Sequence, residues 1–140
     1  MPQIPRPKST DRETTWSKWI AQQKSGLAEV KSFCGARADV VTDDYAFEVE
    51  WLKKYKEAPG QALLYSALLQ KKPGIILLAK DEPLDRIYYL RSVIICQRAG
   101  IYLEVVDTTK EHGENYHDLL LCMRDEDIGP DGLLAVDRHV

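Results

Sequence analysis

Two acidic residues alternate with apolar ones in a short segment of the chain. The segment from Tyr45 to Trp51 has the composition of a β-strand, in which successive side chains point to opposite faces. Glu48 and Glu50 therefore share one face. Two carboxylates on the same face of a strand repel each other unless a cation or a proton compensates them, so this segment is the first candidate for chemistry.

A third acid precedes this strand on a second predicted strand, Ala36 to Val41. If the turn between the strands has two or four residues, Asp39 lies directly across from Glu48 and Arg37 across from Glu50. A three-residue turn would instead place Asp39 and Glu48 on opposite faces. The Asp-rich sequence of the connection favours a turn but leaves its length open.

Directly opposed side chains have Cβ atoms about 4.5 to 5.5 Å apart, a distance at which like charges destabilise a sheet. A divalent cation would compensate Asp39 and Glu48. Oxygen ligands from carboxylates, with no cysteine or well-spaced histidine nearby, favour Mg²⁺ or Mn²⁺ over zinc. The alternative interpretation is that both acids are solvated on an open sheet face.

The segment after this strand contributes three further polar candidates. Gln61 and Tyr65 are four residues apart on a predicted helix and therefore share a face, where they could bind a phosphate backbone or the carboxylates. Lys54 follows the acidic strand and could orient or deprotonate a water molecule. The alternatives are ordinary surface polarity for Gln61 and Tyr65, and a solvated charge run for Lys54 with its neighbours Lys53 and Lys56.

The elements that must position these residues follow the order αβββαβαβ. Hydrophobic periodicity predicts a mixed central sheet flanked by helices, which is an α/β fold. A first helix capped by Thr14 or Thr15 ends near Lys24, and Pro59 opens a second helix that runs to about Gln70. The other predicted elements are the strands Leu27 to Phe33, Ile75 to Ala79 and Ile101 to Val106, the helix Leu84 to Ala99, and an edge strand from Leu119 to Met123 followed by a turn at residues 129–132.

Two finer expectations concern the second helix. Its apolar residues should face the sheet; these are Leu63, Leu64, Ala67 and Leu68. Gly60 costs about 1 kcal/mol in a helix relative to alanine, which suggests close packing of the helix against a neighbour at this point.

The length of 140 residues and 44% apolar content indicate a single globular domain of ordinary composition. Residues 1–12 are predicted to be a flexible or surface-draped arm, and residues 13–140 the domain, with an acidic segment at 107–140. Residues 1–103 carry 16 basic and 12 acidic residues, whereas residues 104–140 carry 3 and 10. The N-terminus lacks the apolar stretch of a signal peptide, no run is long enough to span a membrane, and the three cysteines form no close pair, so a cytoplasmic location is expected.

The stretch from Gly26 to Leu78 resembles the PD-(D/E)xK nuclease superfamily, especially its RecB-type and Holliday-junction-resolvase-like members. That family has an acid on the second strand of a restriction-endonuclease-like core, E-x-K on the third, and Q-x-x-x-Y on the next helix. The resemblance implies a metal-binding role for Asp39, Glu48 and the Val49 carbonyl, an upstream acid at Glu29, and the helical pair Gln61 and Tyr65.

The chain departs from the family pattern at Glu50, which occupies the usual lysine position. Some relatives carry a lysine four residues later, and the catalytic lysine role therefore passes to Lys54. Glu50 would be a third metal ligand or the partner of Arg37. The sequence thus predicts a Mg²⁺- or Mn²⁺-dependent DNA nuclease, and a homodimer or a partner protein would supply any site selectivity. The alternative is a catalytically silent nuclease-fold module that binds nucleic acid or a protein.

Overall fold

The computed structural model of the protein describes residues 2–110, which form one five-stranded sheet with helices on both faces. The order of elements is the predicted one and confirms an α/β fold with a mixed sheet. The acidic segment beyond Lys110, with its predicted edge strand and turn, lies outside the described residues. The elements are α1 (Glu13–Gln23), β1 (Leu27–Lys31), β2 (Arg37–Val41), β3 (Tyr45–Trp51), a 3₁₀ turn (Leu52–Lys54), α2 (Ala58–Leu69), β4 (Lys72–Ala79), α3 (Asp85–Ala99) and β5 (Tyr102–Asp107).

The five strands lie in the order in which they occur in the chain, and the sheet has two different halves. Strands β1, β2 and β3 form an antiparallel meander. Strands β3, β4 and β5 are parallel, and α2 and α3 make the crossover connections between them. The continuous apolar sequence of β4 fits its central place, because a parallel strand covered on both faces has no polar side.

Two apolar layers hold the helices to the sheet. On one face Trp16 and Ile20 of α1 pack against Val40, Phe47 and Val49 and the even-numbered residues of β4. The opposite face carries α2 and α3, and its core includes the following residues: Leu52, Tyr55, Ala58, Ala62, Ile75, Leu77, Tyr89 and Cys96. Strand β3 lies between both layers, so a polar residue on β3 is enclosed by protein.

The structure corrects the predicted sheet-facing side of α2. Leu63 and Leu64 are 44% and 48% exposed, whereas the buried residues are Ala58, Ala62 and Tyr65. Of the four predicted residues, Ala67 is also exposed and Leu68 is partly buried, so two alanines and a tyrosine make the buried contact of the helix. Gly60 is also exposed and has nothing within 4 Å of where a Cβ would lie, so close packing does not explain it.

The start of α1 also differs from the prediction, since its N-cap is Arg12 with no side-chain cap and not a threonine. The preceding arm lies across α1 and the end of β5. Arg6 donates to the Asp107 carbonyl at 2.9 Å, and the Trp16 indole N–H donates to the Lys8 carbonyl at 3.0 Å. Within the described part of the chain, no helix is both long enough and apolar enough to cross a membrane.

Candidate metal centre

The hairpin between β2 and β3 has the register that brings Asp39 and Glu48 to one face. Val40 pairs with Phe47 and Val41 with Ala46, and the turn between Thr42 and Tyr45 has two residues. Beyond Val40 the strands separate, and the Val49 backbone N–H donates to Asp39 Oδ2 at 2.8 Å. A side chain thus accepts a hydrogen bond from β3 at the point where the backbone ladder ends, which fixes the Asp39 carboxylate beside Glu48.

Glu48 is the most enclosed acid of the site, at 3% exposure. Its Oε2 atom is buried and has no hydrogen-bond partner among the described residues. Burial, followed by the charge of Asp39 and a hydrogen bond between the two carboxyl groups, raises the pKa of Glu48 to about 10. The pKa of Asp39 is also raised by burial, against the opposing effect of its bond from Val49. Without a cation, the site therefore holds at least one proton at neutral pH.

A residue from the first helix completes the cluster. Glu13, the first residue of α1, offers an oxygen that lies within 4.8 Å of oxygens from both Glu48 and Glu50. Burial, followed by a hydrogen bond and repulsion from Glu50, raises the pKa of Glu13 to about 8. Glu50 Oε1 also accepts a hydrogen bond from the Trp51 backbone N–H at 2.9 Å, so its carboxylate is held in place.

These carboxylates have the ligand chemistry of a hard divalent cation. Buried charges in proteins are paired, protonated or bound to metals, and Glu48 Oε2 has no hydrogen-bond partner within residues 2–110. Glu13, Glu48 and Glu50 together with Asp39 supply only oxygen atoms, which Mg²⁺ and Mn²⁺ prefer. The residues present therefore fit the cation that the sequence predicted.

Sequence reasoning did not place Glu13 in this site. An acid in the first turn of a helix is common because it interacts favourably with the helix dipole, so the position of Glu13 does not by itself indicate a metal ligand. It is 35 residues from Glu48 in the sequence, and no local pattern indicates such a contact. Only the packing of α1 across the sheet brings them together.

Glu29 lies at the border of the cluster. The pairs on either side of it, Ala28 with Val40 and Val30 with Ala38, set it opposite Asp39, and its charge contributes to the raised pKa of Asp39. Its φ of +54° is unusual for a residue other than glycine.

Glu29 is also the acid that lies near Arg37. The guanidinium of Arg37 lies 3.9 Å from the Glu29 carboxylate, so Glu29 is its ion-pair partner. Glu50 belongs to the acid cluster, and the predicted alternative of an Arg37–Glu50 pair is wrong. Glu29 already pairs with the guanidinium of Arg37, which makes Glu29 a weaker candidate metal ligand than Glu13.

The helical pair lies beside the carboxylates. The Tyr65 hydroxyl donates to Gln61 Oε1 at 2.6 Å, and Tyr65 is buried while Gln61 is exposed. Burial, followed by the charges of Glu48 and Asp39, raises the pKa of Tyr65. Tyr65 therefore connects the enclosed acids to a polar group at the surface of α2.

The lysines of the 3₁₀ turn separate into different environments. Lys54 is exposed, and its positive charge acts on Glu13, where it partly opposes the rise in pKa. Lys53 lines a narrow recess with Trp51, Lys80 and Asp85. Lys56 lies with its ammonium 6.0 Å from the ring centre of its neighbour Tyr55. Of these lysines, Lys54 is the one with an electrostatic connection to the acid cluster.

No protein-family model, curated protein or solved structure matches the chain. The functional argument therefore depends on the fold and the geometry of the site.

Proposed function

We propose that the protein is a Mg²⁺- or Mn²⁺-dependent nuclease of the restriction-endonuclease-like class that hydrolyses phosphodiester bonds in DNA. The observation that carries the proposal is the buried Glu48 oxygen, which has no hydrogen-bond partner in the described part of the chain and lies among three other carboxyl groups. A cluster of buried acids lowers the stability of a fold unless their charges are compensated. A bound divalent cation is the compensation for which these ligands are suited.

In the proposed site, Asp39, Glu48, Glu50 and Glu13 hold the cation, with the Val49 carbonyl as a further ligand and Glu29 at the border. A divalent cation in such a site lowers the pKa of a bound water molecule and neutralises charge that develops on the phosphate. The hydrogen bond from Val49 fixes Asp39, and the bond from Trp51 fixes Glu50, so neither carboxylate has to be ordered by the substrate.

Three other side chains act on the substrate or the water in this proposal. Lys54 is exposed and its charge acts on Glu13, so in this proposal its ammonium group orients the attacking water and favours the deprotonated form of that water. The exposed Gln61 amide N–H₂ is available to donate to a phosphate oxygen, because the Tyr65 hydroxyl occupies its carbonyl oxygen. The resulting roles are metal binding for the acids, water orientation for Lys54 and backbone positioning for Gln61 and Tyr65.

Cleavage of plasmid DNA and of branched DNA, with Mg²⁺ or Mn²⁺ and with EDTA, tests the proposal. We expect cation-dependent cleavage that is lost in Asp39→Asn, Glu48→Gln and Glu13→Gln. Glu57→Gln is the matched control, since Glu57 is an exposed acid beside α2 that makes no side-chain cap. Calorimetric titration with Mn²⁺ should show binding in the wild type and in Glu57→Gln, and loss of binding in Glu48→Gln.

The alternative of a catalytically silent module has two supporting features in the sequence, the acid at position 50 where the family pattern has lysine and the acidic segment at 107–140. It predicts that the wild type binds DNA without cleaving it, under every cation condition. Cation binding together with absent cleavage would favour this alternative, and absence of both would remove the proposed metal centre.

A further inference from the structure

The turn between β1 and β2 presents an aromatic side chain to solvent. Phe33 is 91% exposed, the highest value among the large exposed apolar residues of the described chain. The turn itself is closed, because the Ser32 backbone N–H and hydroxyl both donate to the Ala36 carbonyl at 2.8 Å. Gly35 adopts a φ of +86°, which a side chain would disfavour. The Phe33 ring is thus carried on an ordered turn without packing against the protein.

Positive charges flank this aromatic residue. Lys31 and Arg37 are the last pair of the β1–β2 ladder before the turn, and both are exposed. The nearest acids in the two strands are Glu29 and Asp39, each two residues from the neighbouring cation, and the Glu29 carboxylate lies 3.9 Å from the guanidinium of Arg37. An exposed aromatic ring between cations is the combination with which proteins bind single-stranded nucleic acid, because bases stack on the ring and phosphates contact the cations.

The turn is connected directly to the proposed metal centre. Asp39 is two residues beyond Arg37 on β2 and lies opposite Glu29 of β1. Phe33 is four residues beyond Glu29, in the turn. At a rise of about 3.3 Å per residue, these four residues correspond to roughly 13 Å along the hairpin between Asp39 and Phe33. With a rise of about 3.4 Å per nucleotide in a strand, this corresponds to roughly four nucleotides.

We propose that Phe33 stacks on an unpaired base of the substrate, roughly four nucleotides from the bond that is cleaved, and that the substrate is therefore DNA with a single-stranded segment. This inference rests on the proposed function for the identity of the cleaved bond. In a duplex both faces of each internal base are covered by its neighbours, so at this distance from the cleaved bond an unpaired base is needed to offer a free face to the ring. Lys31 and Arg37 then contact the phosphates on either side of the stacked base.

Fluorescence anisotropy in EDTA, where no cleavage occurs, measures this binding. The probes are a blunt duplex and the same duplex with single-stranded overhangs of two, four, six and eight nucleotides at the 3′ or the 5′ end. Phe33→Ala should weaken binding to the longer overhangs roughly tenfold, as is typical for loss of one stacked base, and should leave blunt-duplex binding unchanged. Phe33→Trp should retain the affinity. Leu27→Ala is the matched control, because Leu27 is 67% exposed on the same hairpin.

The outcomes separate this inference from the proposed function. Equal affinity of wild type and Phe33→Ala for every overhang overturns the stacking role, whether or not the protein cleaves DNA. An equal loss on blunt and overhang DNA also overturns it. A change of oligomeric state in Phe33→Ala, measured by sedimentation, would assign the ring to a protein contact instead. Overhang-dependent loss in a protein that never cleaves DNA would support the stacking and overturn the nuclease.

Discussion

Glu48 places a carboxyl oxygen inside the protein where no described donor reaches it, and the free energy of this arrangement depends on pH. In the metal-free folded protein the pKa of Glu48 is raised to about 10 and that of Glu13 to about 8. In the unfolded chain both groups have the usual glutamate pKa of about 4.3. The folded protein therefore keeps protons that the unfolded chain releases.

The sign of the pH dependence follows from this difference. The free energy of unfolding of the metal-free protein should fall as the pH rises from about 4 toward 8 and 10, because the unfolded state binds fewer protons throughout this range. Glu48→Gln should raise that free energy at pH 8 by about 1 kcal/mol or more and flatten its pH dependence. Urea denaturation between pH 5 and 9 in EDTA measures both effects.

Two comparisons complete this test. Glu57→Gln should leave the pH dependence as in the wild type, since Glu57 is exposed. Mn²⁺ should stabilise the wild type more strongly as the pH rises, because binding displaces the protons, and should not stabilise Glu48→Gln. If Glu48→Gln is less stable than the wild type at pH 8 in EDTA, the buried carboxyl group has a hydrogen-bonding role that our interpretation omits.

Among the elements, the 3₁₀ turn after β3 carries both Lys53 and Lys54, and the charge of Lys54 acts on Glu13. Lys54→Ala should lower the rate of DNA cleavage by two or more orders of magnitude, a typical contribution of about 10²–10⁴ for a group that assists proton transfer. Mn²⁺ affinity should be nearly unchanged, since Lys54 is not a ligand. Lys53→Ala is the matched control, because Lys53 lies in the recess beside Asp85 and should affect cleavage only through DNA affinity.

Single-turnover cleavage at saturating DNA separates the two lysines. An equal loss from both substitutions at saturation would show that the lysines act together as an electrostatic patch, without a specific role for Lys54.

Helix α2 offers a stability prediction that depends on its corrected orientation. Ala62 is fully buried between the helix and the sheet, whereas Leu64 is 48% exposed. Ala62→Leu should destabilise the fold by about 1 to 3 kcal/mol, because additional methylene groups in a packed contact displace the helix. Leu64→Gln should change stability by no more than about 0.5 kcal/mol. Thermal denaturation at a fixed cation concentration distinguishes these values. A larger loss of stability in Leu64→Gln than in Ala62→Leu would mean that the leucines face the sheet after all.

The same helix shows where sequence reasoning ends. The strand from Tyr45 to Trp51 and the face shared by Glu48 and Glu50 could be predicted, because β periodicity is local. The register that sets Asp39 across from Glu48 depended on a turn length that the sequence left open, and the structure shows a turn of two residues. The sheet-facing side of α2 could not, since almost every residue of that helix is apolar or small and the pattern has no polar side to orient it. The space between helix and sheet decides which side chains fit the contact, and Ala58 and Ala62 are buried there. That space depends on the tertiary packing of the helix on the sheet.

At the scale of the whole molecule, all the candidate site residues come from α1 through α2, residues 13–65. The parallel strands β4 and β5 contribute no candidate ligand. Strand β4 pairs with β3 along its whole length and covers the acid-bearing strand on the side away from β2. The enclosure of the acids thus depends on strands that are formed by later parts of the chain.

The antiparallel and parallel halves of the sheet have a consequence for the order of folding. Hairpin contacts within β1–β2–β3 are local in sequence and form quickly, whereas pairing of β3 with β4 requires a crossover and forms more slowly. We therefore expect Asp39 and Glu48 to meet while the meander is still in water, and docking of β4 to remove that water afterwards. Their repulsion should be part of the folding barrier at pH 8, so Mn²⁺ should accelerate refolding in stopped-flow experiments. If Mn²⁺ slows unfolding and leaves the refolding rate unchanged, the cation enters only after the sheet is complete.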